Sequence, residues 1–322
     1  MVLITGASGF VGSFAVEHYL RAGWTVHGTS RRPSAEASLS GPNIHRLDLT
    51  DPVATRALVD AVRPRVVLHL AAESSTSRSW QDPLGTYRNN VLSQLSLLEA
   101  CVSIGGVERV LVAGSADEYG SPEPDDSPIR EDYRLLPVTP YGVSKVAQDL
   151  MGYQYFAAHG LPVIRVRPFL QVGPRRSETF FSGAFARQIA EAELGLRPPE
   201  MQVGDIDRVR DLTDVRDVVR ALALLAEQGE VGAVYNIASG QGRPVRDLLD
   251  MLLDLAAVRP EVHRAPSEHR ALEPAVLVGD VSRLRGDTGW APSISLRDSA
   301  RDLLDYWRRR LETEGAKEDA TS

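Results

Sequence analysis

Apolar and polar positions alternate with two different periods along the first half of the chain. Short β-branched runs, Val2 to Thr5, Thr25 to Thr29, Ile44 to Leu47, Val66 to Leu70, Val110 to Ala113 and Val163 to Val166, are the first kind. Between them lie stretches whose apolar residues return every three or four positions, Phe14 to Arg21, Val53 to Val62 and Val91 to Ser103. The first pattern suits strands buried on both faces and the second suits helices laid over them. Their alternation predicts an α/β fold, a Rossmann-type doubly wound parallel sheet. A late strand candidate, Val234 to Ile237, follows a region rich in Pro, Arg and Gly that breaks the alternation. Pro174, Pro198, Pro199, Pro244, Pro260, Pro266 and Pro274 punctuate short elements there. The expected organisation is a main domain over 1–168 completed by 211–238, with a smaller interleaved C-terminal substrate lobe over 169–210 and 239–312. The end, 313–322, has no apolar residue larger than alanine and is expected to be disordered.

Composition narrows the classes of function. With 322 residues, 43% of them hydrophobic and 25% charged, the chain can bury a full core. The net charge of −7 gives no global attraction to nucleic acid or anionic lipid, so neither is an expected partner. Cys101 is the only cysteine, which excludes an intrachain disulfide and a cysteine-rich zinc site. The seven histidines show no ligand spacing, and no metal is expected. No segment approaches the roughly 20 apolar residues of a membrane span. A cytoplasmic location is the expectation.

Directly after the first strand stands Gly6-Ala7-Ser8-Gly9-Phe10-Val11-Gly12. Glycines there allow a tight turn, a close approach of backbone to a pyrophosphate and close helix packing, and the next helix aims its N-terminus at the phosphates. A dinucleotide is the expected ligand. NAD sites usually place an acid at the end of the second strand, whereas this chain reads Ser30-Arg31-Arg32. A hydroxyl and two guanidiniums suit a 2′-phosphate, so NADP(H) is expected and NAD disfavoured. Asp48, Leu49, Leu70, Ala71, Ala72, Asn90 and Pro168 are expected to border the cofactor. His69 is expected to pack beneath it.

Tyr141 and Lys145 lie four residues apart, so a helix presents both on one face. A nearby ammonium is expected to lower the tyrosine pKa toward working pH, letting the phenol pass a proton to or from a sugar oxygen. Ser115, at the end of the fifth strand, is expected above the carboxyl edge of the sheet, where its hydroxyl can orient the reacting oxygen. Asp117, two residues on, is expected on the same face, with Glu118 pointing away.

The glycine turn with Ser115, Tyr141 and Lys145 resembles the extended short-chain dehydrogenase/reductase superfamily, over nearly the whole chain. Its nucleotide-sugar members carry three further segments, matched here by Arg167-Pro168-Phe169-Leu170-Gln171-Val172-Gly173-Pro174, by Arg210-Asp211-Leu212 and by Arg270-Ala271-Leu272-Glu273. The resemblance implies a nucleotide-sugar substrate, with Arg175, Arg210, Arg270 and Glu273 toward its diphosphate side. Ser74, Ser75, Leu170 and Gln171 are candidates for the sugar. Gly28-Thr29-Ser30-Arg31, Val203-Gly204-Asp205-Ile206-Asp207 and Thr288-Gly289-Trp290 look most like bacterial GDP-4-keto-6-deoxymannose reductases, which make GDP-rhamnose. Pro174-Arg175-Arg176-Ser177-Glu178-Thr179-Phe180 is similar to the sister GDP-mannose 4,6-dehydratases. Dehydratases read Thr-Asp-Glu or Thr-Ser-Glu where this chain has Ser115, Ala116 and Asp117. Ala116 cannot donate a proton, and Asp117 is one methylene shorter than glutamate. The expected activity is therefore NADPH-dependent reduction of a C4 ketone. The open alternatives are a 4,6-dehydratase or 4-epimerase that retains its cofactor, and a non-catalytic NADP-binding sensor. Leu170-Gln171 replaces the family's Asn-His pair, which implies a changed sugar contact. Helices over Val91 to Ser103 and Pro140 to Ala158 imply, by analogy with the superfamily, a homodimer.

Overall fold

The computed structural model describes residues 1–31, 43–265 and 273–319. Seven parallel strands form the main sheet: β1 (Val2–Thr5), β2 (Val26–Ser30), β3 (Asn43–Arg46), β4 (Val66–His69), β5 (Arg109–Ala113), β6 (Val163–Pro168) and β10 (Val234–Ile237). Their order, β10-β6-β5-β4-β1-β2-β3, is that of a doubly wound sheet whose direction of growth reverses between β1 and β4. Every residue of β1, β4 and β10 is buried, which explains the apolar runs Val2 to Ile4 and Val66 to Leu68. The edge strand β3 is largely exposed.

One face of the sheet is covered by α1 (Phe10–Arg21) and α8 (Val215–Gln228), whose Phe14, Val16, Val218 and Leu222 join Ile4, Leu68 and Ile164 in one core. The other face carries α2 (Pro52–Val62), α5 (Ser93–Ile104) and α6 (Pro140–His159) around Val67, Leu97, Leu98 and Val110. Capping sets where these helices begin. The Asp51 carboxylate accepts from the Val53 and Ala54 N–H groups at 2.9 and 3.0 Å, and Pro52 takes the first helical position. Thr139 caps α6 in the same way, accepting from Gly142 at 2.9 Å. A single turn of π-helix, Arg88–Leu92, precedes α5. The short helices α3 (Thr76–Gln81) and α4 (Pro83–Tyr87) bridge β4 to that turn.

A second group of elements packs around its own core of Phe185, Ile189, Met201, Leu248, Leu252, Leu304 and Trp307. It contains β7 (Leu170–Val172), α7 (Phe181–Glu193), β8 (Glu200–Val203), β9 (Val209–Asp214), β11 (Gly242–Pro244), α9 (Val245–Leu255), β12 (Glu261–Arg264), β13 (Val276–Leu277) and α11 (Leu296–Asp319). Strand β9 pairs with β7, β11 and β13, and β8 pairs with β12.

Three expectations about organisation change. Residues 211–214 belong to the smaller sheet through β9, so the chain returns to the main core at Val215 and not at Asp211. Helix α10 (Ser282–Thr288) lies on the main core, with Leu284 and Trp290 fully buried against it, so 239–312 does not form the smaller lobe throughout. The expected disordered end is helical as far as Asp319, because α11 propagates past buried Leu311 and an Arg310–Glu314 pair at 2.9 Å supports its next turn. Residues 320–322 lie outside the described residues.

Candidate active site

The carboxyl ends of the central strands and the second group of elements enclose a cavity of about 760 Å³. At one end is the glycine turn. Gly6 has φ +67°, and a Cβ there would meet Ala71 Cα at 2.9 Å; one on Gly12 would meet the Gly6 carbonyl oxygen at 2.1 Å. Helix α1 has neither a side-chain cap nor an acidic residue in its first turn, so its N-terminal field is left for an anion. Ser8, Gly9, Phe10 and Val11 line the cavity with Ser30, Arg31, Asp48, Leu49, Leu70, Ala71, Ala72 and Pro168. The Ser8 and Ser30 hydroxyls are hydrogen-bonded at 2.7 Å. Two hydrogen bonds from Thr50, and the nearby Arg31 and Arg88, hold the Asp48 carboxyl below the usual range. These residues fit a dinucleotide carrying an additional phosphate beside Arg31. Arg32 lies outside the described residues.

Asn90 stands one layer behind this wall. Its side chain is fully buried, accepting from the Glu73 N–H at 2.7 Å and donating to the Glu73 carbonyl at 3.1 Å and Ser144 Oγ at 2.9 Å. It pins the loop after β4 to α6, and its neighbour Asn89 faces the cavity instead. His69 is buried beside Thr5, whose Oγ1 is 2.9 Å from Nδ1 and accepts from the Leu70 and Ala71 N–H groups at 3.1 Å. Burial, aided by the Lys145 charge, depresses the His69 pKa to about 3, so it stays neutral.

In the middle of the cavity Ser115, Tyr141 and Lys145 come together, all buried. Ser115 caps a 3-10 turn, Ala116–Tyr119, in place of the expected extended chain. The turn still presents Asp117 to the cavity and carries Glu118 away from it. Ser115 Oγ donates to Asp117 Oδ2 at 2.7 Å and accepts the Asp117 N–H at 3.1 Å. Lys145 Nζ donates to the Ala113 carbonyl at 2.7 Å and lies 5.8 Å from the Tyr141 ring centroid.

The expected effect of lysine on tyrosine is reversed in outcome. Burial, with Asp117 and Glu118 adding to it, raises the Tyr141 pKa well above its ordinary value, and the opposing influences are Ser115 and Arg176. The phenol is held as a proton donor. Lys145 is lowered to about 8 by burial, against the pull of Glu118 and Asp117. Burial also raises the Asp117 carboxyl, opposed by Ser115, Arg210 and Lys145.

Toward the second group of elements the wall is built from Ser74, Ser75, Leu170, Gln171, Arg210 and Glu273. Arg210 is buried with Nη2 3.6 Å from Glu273 Oε2. Ser75 also caps α3, accepting from Arg78 at 3.3 Å. Arg270 lies outside the described residues. Arg175 is a correction: it adopts φ +70° and turns from the cavity to bind Glu17 at 2.5 Å and Ser13 Oγ at 3.2 Å on α1. Arg176 takes the place expected of it. Half-buried in the cavity wall, it lies over Phe180 at 3.6 Å and Phe10 at 4.8 Å, and its Nε has no partner among the described residues. The sequence reading also misses Phe181, Phe185 and Ile206, whose apolar spacing marks them only as core.

Residues 3–303 match the family described as GDP-mannose 4,6 dehydratase. The GDP-6-deoxy-D-mannose reductase of Pseudomonas aeruginosa is 36% identical over 97% of this chain and 99% of its own. The structure of RMD from P. aeruginosa complexed with NADPH superposes with a TM-score of 0.84 at 35% identity, covering 96% of this chain and 99% of the other. A UDP-glucose 4-epimerase of Thermus thermophilus, solved in complex with NAD, reaches a TM-score of 0.86 at 30% identity over 95% of this chain and 98% of its own. A buried serine–tyrosine–lysine set above a glycine-walled phosphate turn, within a chain matched from end to end by these enzymes, makes this protein a member of the GDP-mannose 4,6 dehydratase family.

Proposed function

We propose that the protein is an NADPH-dependent reductase of a 4-keto-6-deoxy nucleotide sugar, converting GDP-4-keto-6-deoxymannose to GDP-rhamnose. The observation that carries this reading is the buried Tyr141 phenol beside Ser115 and Lys145 in one cavity, its pKa raised by burial so that it keeps its proton. Reduction of a ketone needs a proton donor at the oxygen, and Ala116 leaves the turn without the carboxyl or hydroxyl that dehydratases carry at that position. NADPH, when bound, supplies the hydride. Ser115 orients the ketone oxygen, Tyr141 gives it a proton, and Lys145 adds positive charge beneath both. Ser30 and Arg31 take the 2′-phosphate, and Arg210 with Arg176 offers guanidiniums to phosphate oxygens.

Dehydration is the second reading. One observation favours it: the Asp117 carboxyl lines the cavity beside Ser115 and is raised by burial, as a proton carrier would be. Following nicotinamide absorbance separates the two. The reductase consumes one NADPH per GDP-4-keto-6-deoxymannose and leaves GDP-mannose untouched; conversion of GDP-mannose to a ketosugar without net NADPH loss would make it a dehydratase. Silence with both would point to Leu170 and Gln171 and a different sugar.

The same reading makes the protein a cytoplasmic homodimer. Leu92, Leu95 and Val102 form an exposed stripe along α5 and its preceding turn, and Val143, Leu150 and Tyr153 form one along α6. A second copy packing two such helices against two is the occupant these stripes suit. No helix among the described residues is long and apolar enough to cross a membrane. Sedimentation equilibrium tests the dimer, and a monomer at micromolar concentration would remove it.

A further inference from the structure

Glu118 is the one acid of the Ser115 turn that never reaches the cavity. It is fully buried, and both of its oxygens are engaged: Oε1 accepts the Ser115 N–H at 2.8 Å and Oε2 accepts from Arg167 Nε at 2.9 Å. Nothing about hydride or proton transfer requires a carboxylate there. Burying one is costly unless it is paired and hydrogen-bonded, and here the Arg167 guanidinium and the Ser115 N–H supply both.

Its partners tie the turn to the rest of the sheet. Arg167, on β6, also donates from Nε to Asp149 Oδ2 at 3.1 Å, and from Nη1 to Tyr119 Oη at 3.1 Å and the Glu131 carbonyl at 3.0 Å. Asp149, on α6, holds Arg165 at 2.8 Å. A Cβ on Gly114 would lie 2.1 Å from Glu118 Oε1, so the backbone before Ser115 is shaped around this carboxylate.

We propose that Glu118 is a positioning residue: it fixes the stretch of backbone that aims Ser115 and that carries, at Ala113, the carbonyl on which Lys145 is anchored. The charged and titratable groups facing it are Arg167 from β6, Asp149, Lys145 and Tyr141 from α6, and Tyr119 from its own turn. Burial, with Asp149 adding to it, raises the Glu118 carboxyl above its ordinary range, against the opposing pull of Arg167, the Ser115 N–H and Lys145. Lys145 feels Glu118 as the larger of two pulls toward protonation. This role rests on the reductase reading for its kinetic part only.

The test exploits the sequence, which contains two lysines, Lys145 and Lys317. Lysine-selective 13C NMR therefore gives two ammonium-adjacent signals, assigned by a Lys317→Arg variant. Glu118→Gln keeps an oxygen for the Ser115 N–H but removes the carboxyl; Glu118→Asp keeps the carboxyl but shortens the reach. In Glu118→Asp the Lys145 anchor is displaced, so its titration midpoint shifts, the alkaline limb of kcat moves with it, and kcat drops about tenfold at unchanged KM. In Glu118→Gln, which retains the Ser115 bond, kcat below that limb stays nearer wild type. A merely structural Glu118 lowers Tm in both and leaves the Lys145 midpoint and the pH profile of Glu118→Asp in place, which overturns the proposal. Should Glu118→Gln not fold, Glu118→Asp decides: kcat equal to wild type would refute the positioning role. If wild type consumes no NADPH with the ketosugar, the functional reading fails separately and the NMR titration still decides the effect on Lys145.

Discussion

Lys145 Nζ is anchored to the Ala113 carbonyl oxygen at 2.7 Å, at the end of the strand that leads into Ser115. The bond sets the height of the ammonium against the sheet and makes its charge a fixed part of the site. Because burial lowers the Lys145 pKa to about 8, the ammonium is present below that pH and lost above it. Tyr141 is shifted the other way and keeps its proton through the same range. The expected kcat/KM profile therefore has an alkaline limb near pH 8 that belongs to lysine. NADPH oxidation followed across pH checks it, and a rate that holds level well beyond that limb would contradict the assignment.

Tyr141→Phe removes the proton donor and leaves the ring. Turnover is expected to fall by about 10²–10⁴-fold, with NADPH affinity unchanged. Ser115→Ala keeps the phenol but loses the group that orients the oxygen, and about 10²-fold is expected. Steady-state kinetics with fluorescence titration of NADPH separates the two quantities. Turnover by Tyr141→Phe at the wild-type rate would remove the phenol from the mechanism.

Arg31 lines the cavity beyond Ser30 and acts on Asp48 from the same side. A charge-assisted bond to a phosphate is worth about 1.5–3 kcal/mol, so Arg31→Ala should weaken NADPH by roughly 10- to 100-fold while leaving NADH unaffected. Equal losses for both cofactors would mean that Arg31 holds the loop and not the phosphate.

What is legible in the sequence divides by the range of the interaction. The strands of the main sheet carry their signal locally, and Val2–Thr5 and Val234–Ile237 are placed to the residue. Tyr141 and Lys145 are local as well, since four residues on a helix bring any two side chains together. The true place of Asn90 is hidden because its partners, Glu73 and Ser144, are 17 and 54 positions away. Arg175 and Arg176 are adjacent in sequence, and only the left-handed conformation of Arg175 sends one to α1 and the other to the cavity. The upward shift of Tyr141 is not legible either, because it comes from enclosure and from the acids of a distant turn.

Asp117 is the residue at which reductase and dehydratase diverge, and Asp117→Asn distinguishes them. The asparagine amide oxygen can still accept the Ser115 hydroxyl that Oδ2 now accepts at 2.7 Å, so the geometry around Tyr141 is retained. What the substitution removes is a carboxyl able to exchange a proton. A reductase that relies on Tyr141 as its acid loses no more than about tenfold in kcat, since the hydrogen bond and not the titration of Asp117 serves it. Removing one of the acidic neighbours that raise the phenol also lets Tyr141 ionise at lower pH, although desolvation remains the larger cause. A dehydratase must take a proton from one carbon and deliver one to a leaving hydroxyl, and loss of its carboxyl would cost about 10²–10⁴-fold. NADPH consumption with the 4-ketosugar and ketosugar formation from GDP-mannose, measured on one preparation of Asp117→Asn, give both numbers. Collapse of the ketosugar reduction itself would make Asp117 part of the acid machinery and require the proton path to run from Asp117 through Ser115 to Tyr141.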